Sequence, residues 1–142
     1  MRWIAAWLGR VRPQPRSEDP VARSLGELEA RIGYRFQDSQ LLVKALKHRS
    51  YVYACQESGI ESNERLEFLG DAVLDLLVAE YLFRGFSDKR EGDLTQMKSL
   101  VVSRQALSEK AEQIDLGHFV LLSVEERNSG GGKQPSILCD AF

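Results

Sequence analysis

Glu64, Glu67, Asp71 and Asp75 recur every three or four residues, and on a helix they share a stripe about 80° wide. Like charges at that spacing cost a few tenths of a kcal/mol per pair in water and raise one another's pKa where the site is partly enclosed. Between Glu64 and Glu80 the sole base is Arg65, so the repulsion stands uncompensated unless a cation occupies the stripe. Carboxylate oxygens aligned on one helix and completed from a second segment suit a hard divalent ion such as Mg²⁺ or Mn²⁺, and do not suit zinc. Such an ion can bridge an acidic protein to a phosphodiester, polarise its phosphoryl oxygen and lower the pKa of an attacking water. Periodicity alone also leaves open a plain solvated acidic face.

The stripe needs a long helix, predicted from about residue 63 to 83, with Ser62 or Asn63 as its cap and Gly85 closing it. Leu66, Leu69, Val73, Leu74, Leu76, Leu77 and Tyr81 fill the opposite arc and are expected to point inward, each worth about 1.5–3 kcal/mol on burial. Phe68 falls on the acidic side, where another subunit or a neighbouring loop must cover it. Leu25, Leu28 and Ile32 predict an earlier helix stopped by Gly33; Asp38 caps a second with Leu41, Leu42, Ala45 and Leu46 inward and Lys44 and Lys47 outward. Tyr51 to Gly59 reads as loop, and His118 to Ser123 is too short to classify. Asp93-x-x-Gln96 resembles a capping box opening one helix that runs to Ile114 and Gly117, and Pro135-Ser136 starts a last helical turn through Phe142. In Ser129–Lys133 the glycines invite a phosphate-loop reading, but Gln134 stands where that motif needs a hydroxyl, so a mobile hairpin-like loop is expected. These elements describe an all-α fold.

The 142 residues suit one domain. Residues 1–16 hold four arginines and no acid, leaving fifteen bases and twenty-one acids beyond, a body of charge −6. A body so acidic meets a polyanion only through an intervening cation. In the opening segment Trp3, Ile4, Trp7, Leu8 and Val11 lie within about 140° of a helical wheel, with Arg2, Arg10 and Arg12 outside it. Pro13 and Pro15 end this pattern, so residues 1–20 read as a basic, amphipathic, Pro-containing extension and not as a secretory signal. Cys55 and Cys139 match no metal or disulfide framework and suit reduced, cytosolic thiols. His48 and His118 are isolated and read as structural imidazoles. No apolar run is long enough for a membrane span.

The run Asn63-Glu64-Arg65-Leu66-Glu67-Phe68-Leu69-Gly70-Asp71 closely resembles the signature of the ribonuclease III family. Flanking matches are Gly33-Tyr34-x-Phe36, Leu41-Leu42, Ala45-Leu46, His48-x-Ser50-Tyr51, Glu91-Gly92-x-Leu94-Thr95 and Ser136-Ile137-Leu138-x-Asp140-Ala141-Phe142, so the likeness spans residues 24–142. The resemblance implies an all-α ribonuclease III-like endonuclease domain over residues 21–142. Its activity would be metal-assisted hydrolysis of double-stranded RNA in rRNA and mRNA processing, leaving 5′-phosphates and 3′ overhangs, in the cytoplasm. By the same resemblance Glu67, Asp71 and Asp140 hold Mg²⁺, with Mn²⁺ as a substitute. Glu64 sits at the edge of the catalytic set, and Phe68 plugs a socket on the partner of a homodimer. Asp75 receives no role.

One departure bears on activity. The family pattern has a glutamate three residues after Asp140, whereas the sequence given stops at Phe142. It is read as C-terminally incomplete, without the family's double-stranded-RNA-binding domain, and is expected to cleave weakly or not at all by itself. The competing class is a non-catalytic dimerising or RNA-scaffolding domain of the same fold, whose mark would be loss of the acidic set; all four acids are present. An unrelated helical metal-binding or partner-binding bundle is the third.

Overall fold

The computed structural model describes residues 20–142, with side chains from residue 24 onward; the basic extension lies outside the described residues. Leu25 and Leu28 fall on one face of α1 (Pro20–Ile32) and are buried, while Ile32 stays at the surface. Gly33 ends α1 at φ +68°, a conformation that favours glycine. Asp38 caps α2 (Ser39–Leu46) by accepting from the Gln40 and Leu41 N–H groups. Leu42 and Leu46 of α2 are buried, whereas Leu41 is exposed. Short α3 (Arg49–Ala54) and a 3-10 turn at Gly59–Glu61 occupy the segment expected to be loop and lead into α4 (Glu64–Gly85). Then come α5 (Glu91–Val101), α6 (Arg104–Gln113), α7 (Leu116–Phe119), α8 (Val124–Asn128), a 3-10 turn at Gly131–Lys133 and α9 (Pro135–Ala141). The core is one cluster built by α1, α2, α6, α7 and α9, with Leu28, Ala111, Phe119, Val120 and Leu138 among its members. Among the described residues the only strand-like pairing is an isolated parallel bridge between Lys47 and Leu121. The fold is all-α.

Three expectations are corrected. The apolar arc of α4 points outward: Leu69, Val73, Leu76, Leu77 and Tyr81 are all exposed, and Leu66 and Leu74 are only half-buried. The side facing the rest of the domain carries Glu67, Leu74, Val78 and then fully buried Leu82, which lie within about 80° of one another on the wheel. The acidic stripe therefore begins on the inward face, which becomes apolar toward the C-terminal end of the helix. An average over the whole helix hides that change.

The helix expected from Asp93 to Ile114 is two helices. Ser103 has extended backbone, and its hydroxyl accepts from the Ala106 N–H at 3.2 Å, opening α6 one turn after α5 ends. Asp93 does not open α5 but closes its first turn, accepting from the Arg90 N–H at 3.2 Å. Gly131–Lys133 forms a 3-10 turn with Gly131 buried, in place of a hairpin-like loop. An ideal Cβ on Gly117 would lie 1.8 Å from the Gly132 oxygen, so backbone meets backbone there. Glycine at 117 is required by space, not by conformation.

Candidate active site

Asn63 joins three parts of the chain. It is buried at the start of α4, yet makes no side-chain capping bond. Its backbone N–H donates to the Lys47 oxygen at 2.8 Å, and its Nδ2 donates to the Asp140 backbone oxygen at 3.4 Å. The end of α2, the first turn of α4 and the last turn of α9 are thus tied together. Beside it the Ser62 hydroxyl lies 2.9 Å from the Gly59 oxygen and 3.1 Å from Glu64 Oε2, steadying the carboxylate at the rim. Pro135 opens α9 with its ring at a position where no helical N–H is required. Ile137 and Leu138 anchor α9 in the core, which sets Asp140 on the side facing Asn63.

These ties surround an open cavity of about 450 Å³ lined by Glu64, Glu67 and Asp140 together with His48, Arg49 and Glu126. Asp71 is one turn beyond Glu67 and exposed, outside the cavity lining. Burial pushes the Glu67 carboxyl above its ordinary pKa, and the negative charges of Asp140, Asp71 and Glu64 push it further, against the pull of Arg104. Asp140 is raised mainly by burial, with Arg104 and His48 opposing and Asp71 adding to the rise. The charges interact across sequence separations of about seventy residues, so the site is a tertiary construction.

The same cluster sorts the bases. Lys44 pairs with Glu61, Lys47 with Glu57, and Lys98 with Asp75 at 2.9 Å, so the C-terminal part of the acidic stripe has a cation supplied from α5. No such ion pair is made by Glu67, Asp71 or Asp140 among the described residues. Arg104 acts on Glu67 and Asp140 only as a through-space charge.

All donors here are oxygens, which fits a hard cation. Among the described residues, no three acidic, histidine or cysteine side chains are close enough to hold an ion together. Glu67 and Asp140, which line the cavity, are the two carboxylates that could hold such a cation, with Asp71 one turn away.

Reading the sequence placed Glu64, Glu67, Asp71 and Asp140, and the structure gathers all four into one electrostatic neighbourhood. It turns Phe68 away, 82% exposed. The sequence reading missed the cavity lining from His48, Ser50 and Glu126. The spacing His48-x-Ser50 held a usable signal, since a side-chain acceptor two residues before an N–H is a cap pattern; Glu126 carried none. Cys55 and Cys139 are both free thiols.

A family model described as Ribonuclease-III-like matches residues 38–142. Ribonuclease 3 of Campylobacter concisus is 46% identical over 120 residues, covering 84% of this chain and 51% of that protein. Ribonuclease 3 of Pelotomaculum thermopropionicum is 44% identical over 115 residues, covering 81% and 48%. The chain thus spans about half the length of the curated relatives it matches. A solved structure of the nuclease domain of ribonuclease III from Campylobacter jejuni, described for structural flexibility in a region involved in dimer formation, superposes with a TM-score of 0.76 at 45% identity. It covers 82% of this chain and 78% of that one. A second structure of the same nuclease domain, at 2.2 Å, gives 0.74 at 45% identity.

Proposed function

From the premise that this chain belongs to the ribonuclease-III-like family, we propose that it is the catalytic part of an endoribonuclease that hydrolyses double-stranded RNA with a divalent metal, Mg²⁺ or Mn²⁺. The observation that carries this reading is the meeting of Glu67 from α4 and Asp140 from α9 in one cavity, each raised in pKa by burial and each interacting with the Asp71 charge. Two helices from distant parts of the sequence hold like charges together at an energetic cost that a cation would remove.

When bound, the ion would stabilise charge developing on a phosphodiester and lower the pKa of a water beside it. Glu67 and Asp140 would hold it from the cavity, and Asp71, one turn beyond Glu67, would complete the set by turning its side chain toward them. Arg104 and Arg49, both near Asp140, would attract the strand and orient its phosphates. Glu64, fixed at the rim by Ser62, would accept a hydrogen bond from the attacking water. In the reaction a water oxygen bonds to phosphorus while the bond from phosphorus to the 3′ oxygen breaks. The phosphate stays on the 5′ end, and the departing 3′ oxygen takes up a proton. Duplex RNA would be recognised by its shape and backbone and not by its bases.

The exposed apolar arc of α4, with Leu76, Leu77 and Tyr81, and the exposed Phe68 on its acidic side support a homodimer in which this helix is covered and two sites address the two strands. The free thiols support a cytoplasmic setting, and rRNA and mRNA precursors are the proposed substrates. Because no three ligands form a preassembled group, the 142-residue chain alone should cleave slowly or not at all. A version lengthened beyond Phe142 by a helical segment opening on glutamate should gain activity.

The test is incubation of a labelled RNA duplex with the lengthened chain and Mg²⁺. Expected are 5′-phosphate products with 3′ overhangs, lost when the metal is chelated. Cleavage that persists in chelator, or products ending in a 2′,3′-cyclic phosphate, would exclude this chemistry.

A further inference from the structure

His48 combines a structural task on one ring nitrogen with an open position for the other. It precedes α3, and its Nδ1 accepts the Ser50 N–H at 3.3 Å as a helix cap. The Ser50 hydroxyl lies 2.8 Å from the same Nδ1 and accepts the Ser123 N–H at 3.1 Å. Because the backbone N–H of Ser50 can only donate, Nδ1 must carry a lone pair. With Nδ1 an acceptor, the Ser50 hydroxyl, which takes the Ser123 N–H on one of its two lone pairs, turns its hydrogen to Nδ1. The chain of donors runs Ser123 N–H to Ser50 O–H to His48 Nδ1, and it places the imidazole proton on Nε2.

Nε2 has no hydrogen-bond partner among the described residues, and the ring lines the cavity that holds Glu64, Glu67 and Asp140. The backbone on both sides of the ring is fixed. The His48 N–H donates to the Leu121 oxygen at 3.1 Å, and Lys47 accepts from Asn63 at 2.8 Å. A donor held this firmly at the edge of an acidic cavity is unusual, since its simplest partner would be one of the cavity's own carboxylates.

Resting on the nuclease reading above, we infer that His48 is a substrate-contact residue whose Nε2–H donates, as a neutral group, to a phosphate oxygen of the RNA strand entering the cavity, and that Ser50 is the positioning residue that fixes its tautomer. Burial holds the His48 pKa below its ordinary value despite the opposing charges of Glu126, Asp140 and Glu64, and a bound divalent cation would hold it lower still. A neutral donor suits this place. It grips phosphate without adding a positive charge that would compete with the metal for the carboxylates.

The test uses two substitutions that separate the ring's two tasks. His48→Asn keeps a good capping acceptor near Nδ1 but cannot reach the Nε2 position. His48→Gln places an amide N–H near the Nε2 position. Short RNA duplex is titrated at low salt with Mg²⁺ present, followed by NMR so that weak binding is measurable, with thermal melts as a check on folding. The expected results are about tenfold weaker binding for His48→Asn, recovery to within about threefold for His48→Gln, and an unchanged salt dependence in both. Arg49→Gln should instead lower the salt slope by roughly 0.7–0.9, the mark of a lost cation. The nitrogen spectrum of free His48 should show the Nε2–H tautomer.

Folded His48→Asn that binds RNA like the parent overturns the inference, as does an Nδ1–H tautomer, and either leaves the nuclease reading intact. A parent chain that shows no duplex binding at all removes both.

Discussion

Glu67 and Asp140 carry the account at the scale of single residues, and their titration gives a test that needs no RNA. Both have pKa values raised in the folded chain, so the folded state holds these protons more tightly than the unfolded state does. Their contribution to stability is complete below the unfolded carboxylate pKa and is lost as pH rises through and past the ordinary carboxylate range. In chelator, Glu67→Gln should therefore melt higher than the parent near pH 7, by on the order of a degree or two, with the difference vanishing at about pH 3.5. Calorimetry at the two pH values checks this. Lower stability of Glu67→Gln near pH 7 would mean that Glu67 is held by a favourable partner and is not strained by its neighbours. With Mg²⁺ and a lengthened chain, Glu67→Gln and Asp71→Asn should each reduce cleavage at least about a hundredfold, as rate assays would show. A drop confined to KM would assign these acids to substrate binding alone. Glu67 and Asp71 were legible from sequence because their spacing is a local property of one helix, whereas Asp140, on another helix, was reached only through the family resemblance. His48 and Glu126 enter the site only because the Lys47–Leu121 pairing and the α8 cap bring them there.

Helix ends fixed by local chemistry were readable, and helix faces fixed by neighbours were not. Gly33 ends a helix because its lack of a side chain permits φ +68°, and Asp38 begins one because its carboxylate accepts the first N–H groups. Ser103 was passed over because the apolar spacing continues across it, yet its hydroxyl competes for a backbone N–H and divides the helix. Ser103→Ala should cost about 1 kcal/mol in denaturant unfolding; no loss would mean that the break is imposed by packing. The inward face of α4 escaped the wheel for another reason. Seven apolar residues on one arc give the direction of burial only if the covering surface belongs to the same described unit, and here that arc is exposed. The glycine-rich turn was misread as mobile because composition does not reveal the close approach between Gly117 and Gly132. Gly117→Ala has no space for its methyl group and should destabilise by about 3 kcal/mol or more. A near-neutral Gly117→Ala would show that the turn can withdraw, and that its packing is not needed to hold α9.

For the molecule as a whole, the acidic cavity and the exposed apolar arc of α4 occupy different sides of one helix, so catalysis and association are separable. Phe68 lies on the acidic side but is exposed and outside the cavity lining, so Phe68→Ala should weaken self-association at least about tenfold in sedimentation while leaving Mn²⁺ affinity of the free chain unchanged. A monomeric parent at every accessible concentration would remove the dimer from the account. The small basic excess of the opening sixteen residues cannot neutralise a body of −6, so affinity for a polyanion rests on Arg49, Arg104 and a divalent ion. The most direct measurement is therefore anomalous diffraction from crystals soaked in Mn²⁺. The account predicts a peak within coordination distance of Glu67 and Asp140 and beside Asp71, absent in Glu67→Gln. A well-ordered site with no peak there at saturating Mn²⁺, or a peak that survives Glu67→Gln unchanged, would contradict it.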